Sequence, residues 1–372
     1  MIYFDSAATT FQKPPSVRNA VLRAMQTMSS PGRGSYPHAK AAEETLFRCR
    51  TLASDLFGLS SPEQVVFTMN ATHALNLAIK TLVSPGSRVA VSGYEHNAVT
   101  RPLHALDAEV IVADAPLFDR SKMIGGFRRA IENGAKAVIC THVSNVFGYI
   151  LPIKSISELC HKANVPLIID ASQSAGILPL NMSELGAAFI AMPGHKGLYG
   201  PQGTGLLLCN HEVNPLIEGG TGSESLMQTM PDFLPDRLEA GTHNVCGIAG
   251  LEAGLEFIRN TGMERIRRHE QILLEKTVSQ MGKIPDITLW HADDPALQTG
   301  VLSFAVNNME SFDISEALGL HGIAVRGGLH CAPFAHRTAG TLPDGTVRLS
   351  FSAFNRAEEV DSFLRTLRKV IR

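Results

Sequence analysis

Pro166-Leu167-Ile168-Ile169-Asp170-Ala171-Ser172-Gln173 and, further along, Ala187-Ala188-Phe189-Ile190-Ala191-Met192-Pro193-Gly194-His195-Lys196 share one pattern, an apolar run that breaks into polar and glycine residues. The runs do not alternate polar with apolar, so they suit strands covered by helices on both faces. Working outward, five more such runs occur at Val65 to Thr68, Arg88 to Val91, Val110 to Ala113, Ala137 to Thr141 and Thr204 to Cys209. Segments of helical period separate them, among them Ala41 to Phe57, closed by Gly58, and Ile153 to Lys162, preceded by Pro152. The reading is an α/β fold whose larger part is a mostly parallel seven-stranded sheet.

Past residue 260 the texture changes to a charged amphipathic segment, Met263 to Met281, and a Pro- and Asp-containing stretch, Pro285 to Pro295. Strand patterns follow near Val301 to Val306, Ile323 to Arg326 and Val347 to Ser350, which predicts a smaller α+β part. Its last helix is expected to be capped by Asn355 with Glu358 as the acidic N3 residue, and it closes on Arg368, Lys369 and Arg372.

At 372 residues the chain is about 2.5 times the usual domain length, which agrees with two parts. Hydrophobic residues make up 44% and charged residues 18%, a balance that favours a large core and surface buried against a partner subunit. Lys plus Arg (33) nearly cancels Asp plus Glu (35), and no basic block offers phosphate attraction, so no nucleic-acid partner is expected. No window approaches about 18 uninterrupted apolar residues, so no membrane span is expected. The acid at Asp5 and the lack of an apolar stretch behind a charged start read against a signal peptide, and a cytoplasmic location is expected. The cysteines at 49, 140, 160, 209, 246 and 331 form no CxxC pair. They read singly, five as small buried hydrophobes and one as a reactive thiol. No metal site is expected.

In an open parallel sheet, ligands bind beyond the carboxyl ends of the strands. Those ends deliver Tyr94-Glu95-His96-Asn97, His142-Val143-Ser144-Asn145, Asp170-Ala171-Ser172-Gln173 and Pro193-Gly194-His195-Lys196. If the strands ending at Asp170 and before Lys196 are parallel, a carboxylate and an amine face one crevice. A lysine there can contact a phosphate, pair with an acid or act as a Schiff-base nucleophile, and taken alone it is more often a solvated surface group. Neither GxGxxG after a first strand nor GxxxxGK[ST] is present, which weakens a dinucleotide or P-loop reading.

Phe4-Asp5-Ser6-Ala7-Ala8-Thr9, Glu95-His96-Asn97-Ala98, Ser144-Asn145-Val146-Phe147-Gly148, Asp170-Ala171-Ser172-Gln173, Gly194-His195-Lys196-Gly197-Leu198-Tyr199-Gly200-Pro201, Glu239-Ala240-Gly241-Thr242 and Arg326-Gly327-Gly328-Leu329-His330-Cys331-Ala332 recur in an order that resembles the class V aminotransferase superfamily. Within it the chain is similar to cysteine desulfurases. The His-Cys-Ala context and the short interval from Cys331 to Arg348 resemble the SufS/selenocysteine-lyase-like group.

The resemblance implies a PLP-dependent aminotransferase fold type I, with a large cofactor-binding domain over 16–259 and a small domain formed by 1–15 with 260–372. It implies conversion of L-cysteine to L-alanine with the sulfur held as a persulfide on Cys331, within sulfur metabolism of the iron–sulfur cluster assembly kind. Lys196 would hold pyridoxal 5′-phosphate covalently and move the substrate α-proton, and Asp170 would pair with the ring nitrogen. His96 would stack on the ring, Asn145 and Gln173 would bond its oxygen, and Thr72, Ala71 and His195 would lie at the phosphate. Thr242 would reach the partner subunit's cofactor in a homodimer. Arg348, with Arg326 as a weaker candidate, would take the substrate carboxylate, and Asn145 would also contact the substrate. A sulfur-acceptor protein is a possible partner.

Two departures touch the phosphate. Pro193 stands where relatives commonly carry Ser or Thr, and Ala71 stands where another hydroxyl is frequent, so backbone amides would carry more of the contact. Each residue also has a plainer reading: Asp170 or Thr72 as a helix cap, Arg348 as a strand-end ion pair, Cys331 as a small buried residue. The glycines before Cys331 read as a mobile loop rather than a core strand. Readings left open are a selenocysteine lyase, another transaminase-type enzyme, a cofactor-free thiol hydrolase pairing Cys331 with His330 or His336, and a non-catalytic sulfur-relay subunit.

Overall fold

The computed structural model of the chain describes residues 1–32 and 34–371. Its first strands are β1 (Ile2–Tyr3), β2 (Val65–Thr68), β3 (Arg88–Ser92), β4 (Glu109–Ala113), β5 (Ala137–Thr141), β6 (Leu167–Asp170), β7 (Phe189–Pro193) and β8 (Gly205–Cys209). The later ones are β9 (Ile287–Trp290), β10 (Val301–Val306), β11 (Ile323–Ala324), β12 (Arg326–Gly328) and β13 (Thr346–Ser350). The helices before residue 200 are α1 (Pro15–Thr27), α2 (Pro37–Phe57), α3 (Ala71–Leu82), α4 (Asn97–Ala105), α5 (Arg120–Glu132), α6 (Ile153–Ala163) and α7 (Met182–Leu185). Those after it are α8 (Val245–Thr261), α9 (Met263–Met281), α10 (Ser311–Leu320), α11 (Pro333–Ala339) and α12 (Ala357–Val370).

Seven strands form one sheet in the order β2-β8-β7-β6-β5-β3-β4. Only β8 runs against its neighbours, so the expected mostly parallel sheet is present. Its central strands are Val-, Ile- and Leu-rich and buried on both faces, because helices cover each side. From β3 the chain steps outward to β4, then returns past β3 to β5. The order therefore reverses between β3 and β5, where a crevice opens outside the strand ends.

A second, antiparallel sheet, β12-β13-β10-β9, packs against α9, α10 and α12. On α9 the buried residues Ile266, Glu270, Leu273, Leu274, Thr277 and Met281 follow helical spacing, which puts them on one face. The first residues of the chain join this region: β1 pairs parallel with β11, and Asp5 bridges to Ser350.

Several local expectations change in detail. Helix α2 begins at Pro37 rather than Ala41, with proline in the first turn where its missing N–H costs nothing. The stretch from Pro285 to Pro295 contains β9, a sheet edge whose half-exposed residues gave no apolar run. The single strand expected near Ile323 to Arg326 is two strands in two different sheets. The cap of α12 is Arg356, not Asn355: the Glu359 carboxylate accepts from the Arg356 N–H at 2.9 Å, so the N3 acid is Glu359 rather than Glu358. Asn355 instead ties the preceding turn through Ser352 N–H, at 2.9 Å.

Candidate active site

The carboxyl ends of β3, β5, β6 and β7 close around a cavity lined by His96, Thr141, Asn145, Asp170, Gln173, Pro193, His195, Lys196, Ala71 and Thr72. Strands β6 and β7 are parallel, with Asp170 opposite Ala191, so Asp170 and Lys196 do reach one space. Two loops must pass close together for this. At Gly176 (φ +84°) a Cβ would lie 2.2 Å from the Gly197 carbonyl oxygen, so only glycine lets the turn after Asp170 pack on the lysine loop.

The Lys196 amine has no hydrogen-bond partner among the described residues, and the half-buried side chain faces the cavity. Burial lowers its pKa to about 8, Arg348 and Arg326 push the same way, and Asp170 opposes them. Asp170 accepts from Ser172 N–H at 2.9 Å through Oδ1, leaving Oδ2 without a donor among the described residues. His96 caps α4: its Nδ1 accepts from Ala98 N–H at 3.0 Å, which puts the ring proton on Nε2. Burial brings His96 down to about 4, so the ring is neutral at neutral pH. Gln173 donates to the Ala7 carbonyl at 2.9 Å, and Asn145 donates to the His330 carbonyl at 2.9 Å.

The phosphate candidates sit where α3 starts. Asn70 is the cap, its side chain accepting from His73 N–H at 2.9 Å, so Thr72 is not the cap residue and its exposed side chain borders the cavity. His195 is held from the N-terminal segment, its Nδ1 meeting Thr9 Oγ1 at 3.0 Å and its carbonyl accepting from Thr10 and Lys13. Thr242 is not brought into this cavity. It borders two other pockets with Glu239 and His243, where a buried Arg50–Glu239 ion pair holds the start of its loop.

Arg348 is 1% exposed and already engaged: Nη2 meets Asp5 Oδ1 at 2.6 Å, Nη1 donates to the Asn145 carbonyl at 3.0 Å, and Nε is buried without a partner among the described residues. Its fork is therefore partly occupied by Asp5, and an incoming carboxylate must share or displace that acid. Arg326 lies opposite Arg348 across β12 and β13, and its Nη2 is 3.7 Å from Cys331 Sγ.

Cys331 is the exposed cysteine among the six. Four of the others are buried, and Cys246, expected to be buried, is half-exposed because it lies in the first turn of α8. His330 and Cys331 take successive left-handed conformations (φ 51° and 56°), which side chains with a Cβ adopt at a cost of about 1–2 kcal/mol each. The turn is tied down: Asn97 N–H donates to the Cys331 carbonyl at 2.8 Å, and Asn145 holds His330. The His330 ring points inward, contacting the Arg326 carbonyl at 3.1 Å and His336 at 3.4 Å, with His336 in turn on Thr341 at 2.7 Å. The thiol's neighbour is thus a guanidinium and not an imidazole, and a Cys/His pair is not formed.

Two residues given no role by the sequence prove central. Asp5 pairs with Arg348, and Glu95 lies buried beneath the cavity, accepting from Ser92 Oγ and from Thr141 N–H at 2.8 Å while Oε2 has no partner among the described residues. Burial, with Asp170 nearby, pushes the Glu95 carboxyl up to about 8. Both stand inside quoted motifs, but only their distant partners reveal what they do.

The sequence profile of the Aminotransferase class-V family matches residues 2–363. A probable cysteine desulfurase of Mycolicibacterium paratuberculosis is 32% identical over the whole chain, which spans about half (55%) of that relative's length. A probable cysteine desulfurase of Methanothermobacter thermautotrophicus is also 32% identical, with 99% of this chain and 94% of the relative covered. Among solved structures, the apo cysteine desulfurase of Thermococcus onnurineus superposes over 100% of this chain and 94% of its own, with a TM-score of 0.90 and 29% identity.

Proposed function

The chain belongs to the class-V aminotransferase family, in its cysteine desulfurase branch, and from that premise we propose that it converts L-cysteine to L-alanine and carries the sulfur as a persulfide on Cys331, with pyridoxal 5′-phosphate as cofactor. One observation carries the reading: an unpartnered amine and an acid with a free oxygen meet in one cavity, with the molecule's exposed thiol on the loop above it.

The residues present fit that cofactor. Lys196 would hold it covalently, Asp170 Oδ2 would take the ring nitrogen, and the neutral His96 would lie against the ring. Its phosphate would rest on Thr72, His195 and the free amides at the start of α3, with the dipole end of that helix replacing the hydroxyls absent at Pro193 and Ala71. When bound, the ring system accepts the electron pair released at the substrate α-carbon.

The chain's own groups do the rest. Arg348, assisted by Arg326, orients the substrate carboxylate, and Asn145 is held between them and the cysteine turn. With its pKa lowered to about 8, Lys196 takes and returns the α-proton near neutral pH. The Cys331 thiolate attacks the substrate sulfur. The S–S bond forms as the C–S bond breaks, and the electron pair left on carbon takes a proton to give alanine. Arg326, beside the sulfur, supplies a counter-charge for the persulfide anion.

The same proposal makes the enzyme a homodimer that passes sulfur to an acceptor protein. Large apolar side chains stand exposed on α1 (Leu22, Met25) and in the 217–233 loop (Ile217, Leu226, Phe233), and Ile217 borders the pocket that Thr242 lines outside its own subunit's cofactor cavity. It also divides the chain into a body, 16–259, and a small domain of 1–15 with 260–372.

Product analysis tests the core of this. Purified protein given L-cysteine is expected to release alanine and to leave a persulfide on the enzyme, while Cys331→Ser keeps the cofactor absorbance and loses the persulfide. A keto acid formed in the presence of an amino-group acceptor would mean transamination instead, and a parallel run with L-selenocysteine measures the preferred chalcogen.

A further inference from the structure

On the other side of the loop that carries Asn145 lies a second cavity, about 600 Å³, walled by Leu56, Ile124, Ile150, Leu180 and Met263 and by the first turn of α6. No reaction step above uses it. Helix α6 has eleven residues, opens after Pro152, and has no side-chain cap; the N–H groups of Lys154 and Ser155 have no acceptor among the described residues. The positive end of that helix is therefore bared to the cavity, with the Lys154 side chain beside it.

A second observation is independent of the helix. His142, 6% exposed, lines the same cavity, and neither ring nitrogen has a hydrogen-bond partner among the described residues. Burial first, and then the charges of Arg120 and Arg267, lower its pKa to about 3, so the ring is neutral and offers one N–H donor. Arg120 lines the cavity too. Its Nη2 donates to the Ala296 carbonyl at 3.2 Å, while its Nε is sealed from solvent without a partner among the described residues, as is Nε of the nearby Arg267. The acid on the wall, Glu184, accepts from Asn181 Nδ2 at 3.2 Å, and Arg120 and Lys154 leave the lining with a net positive charge. Buried donors left unmatched cost about 1–3 kcal/mol each, so such a group calls for an acceptor.

We propose that this cavity binds a phosphate monoester, its phosphoryl oxygens taken by the first-turn amides of α6, Arg120 and His142, and its organic part lying on the apolar wall. A phosphoryl group fits better than a carboxylate, since donors from the helix, a guanidinium and an imidazole need at least three acceptor oxygens. The site is separate from the cofactor cavity, although His142 and Asn145 share one loop.

The test is calorimetric titration of the protein, as purified with its cofactor, using phenyl phosphate, inorganic phosphate and phenol. Saturable binding of phenyl phosphate is expected with a Kd near or below about 1 mM, weaker binding of phosphate and none of phenol. Arg120→Gln is expected to weaken phenyl phosphate by about tenfold or more and Lys154→Ala by about threefold, while Thr72→Ala, at the cofactor phosphate, leaves it unchanged. Lys154 is a surface residue, so that variant still decides the matter if Arg120→Gln does not fold. Absence of saturable binding, or affinities indifferent to both cavity variants, overturns the proposal, as does a loss confined to Thr72→Ala.

Discussion

The lysine wall and the cysteine turn are built in opposite ways. Asp170 and Lys196 follow the ends of buried parallel strands, where the ladder and two helical layers fix them. Cys331 stands exposed on two successive left-handed residues, held by a few hydrogen bonds from His96's helix and from Asn145. The contrast teaches that the groups proposed to hold and polarise a cofactor follow rigid strands, while the thiol proposed to carry sulfur sits on an exposed turn of costly backbone geometry.

The largest effect is expected on the wall. Lys196→Ala should lower alanine formation from L-cysteine at least about 10³-fold, read by single-turnover product analysis, while Cys331→Ser leaves cofactor absorbance intact. Equal loss of that absorbance in both variants would break the contrast. Next comes the packing that joins the two wall loops. Gly176→Ala should cost about 2–4 kcal/mol, measured as a fall in Tm, because its Cβ meets the Gly197 carbonyl and the backbone there is left-handed.

Much of the wall was legible in the sequence because uninterrupted apolar runs ending in polar residues leave little choice of architecture. The seven strands appear within a residue or two of where their patterns place them. The turn was legible only through motif resemblance, since composition does not separate a reactive cysteine from a buried one. What escaped depends on distant partners. Asp5 finds Arg348 at a separation of 343 residues, and the cap of α12 moved by one residue because Asn355 is engaged elsewhere, its Nδ2 donating to the Tyr3 carbonyl at 3.0 Å.

Arg348 lies between the two regions and gives a smaller, sharper test. Arg348→Lys should lower kcat/KM about 10–100-fold, mainly through KM, since an ammonium cannot meet a carboxylate with two parallel bonds. Asp5→Asn should lower KM modestly if the acid competes with the substrate for the guanidinium, and a raised KM would show instead that Asp5 only orients it.

The smallest expected change is in pH dependence. The Glu95 carboxyl is raised in the folded state from 4.5 to about 8, so the folded chain binds more protons than the unfolded one across that interval. Its contribution is full below the unfolded value and is lost as pH rises through the folded one. Stability should therefore fall between pH 5 and 8, by about 1 kcal/mol or more, and Glu95→Gln should flatten that slope in denaturant titrations. Lys196 has the opposite sign: in protein freed of cofactor its lowered pKa makes stability rise from pH 8 towards 10.5, and Lys196→Met should remove that rise.

The pairing of β1 with β11 and of Asp5 with Arg348 has a consequence for synthesis. At 5–20 residues per second, the ribosome needs roughly 20–70 s to make the 343 residues that separate the two members of that ion pair. Through that time the emerging sheet can assemble and residues 7–13 can reach Gln173 and His195, but β1 and Asp5 must wait for β11 and Arg348. The ion pair that braces the Arg348 guanidinium thus forms only after every strand of the seven-stranded sheet has been synthesised.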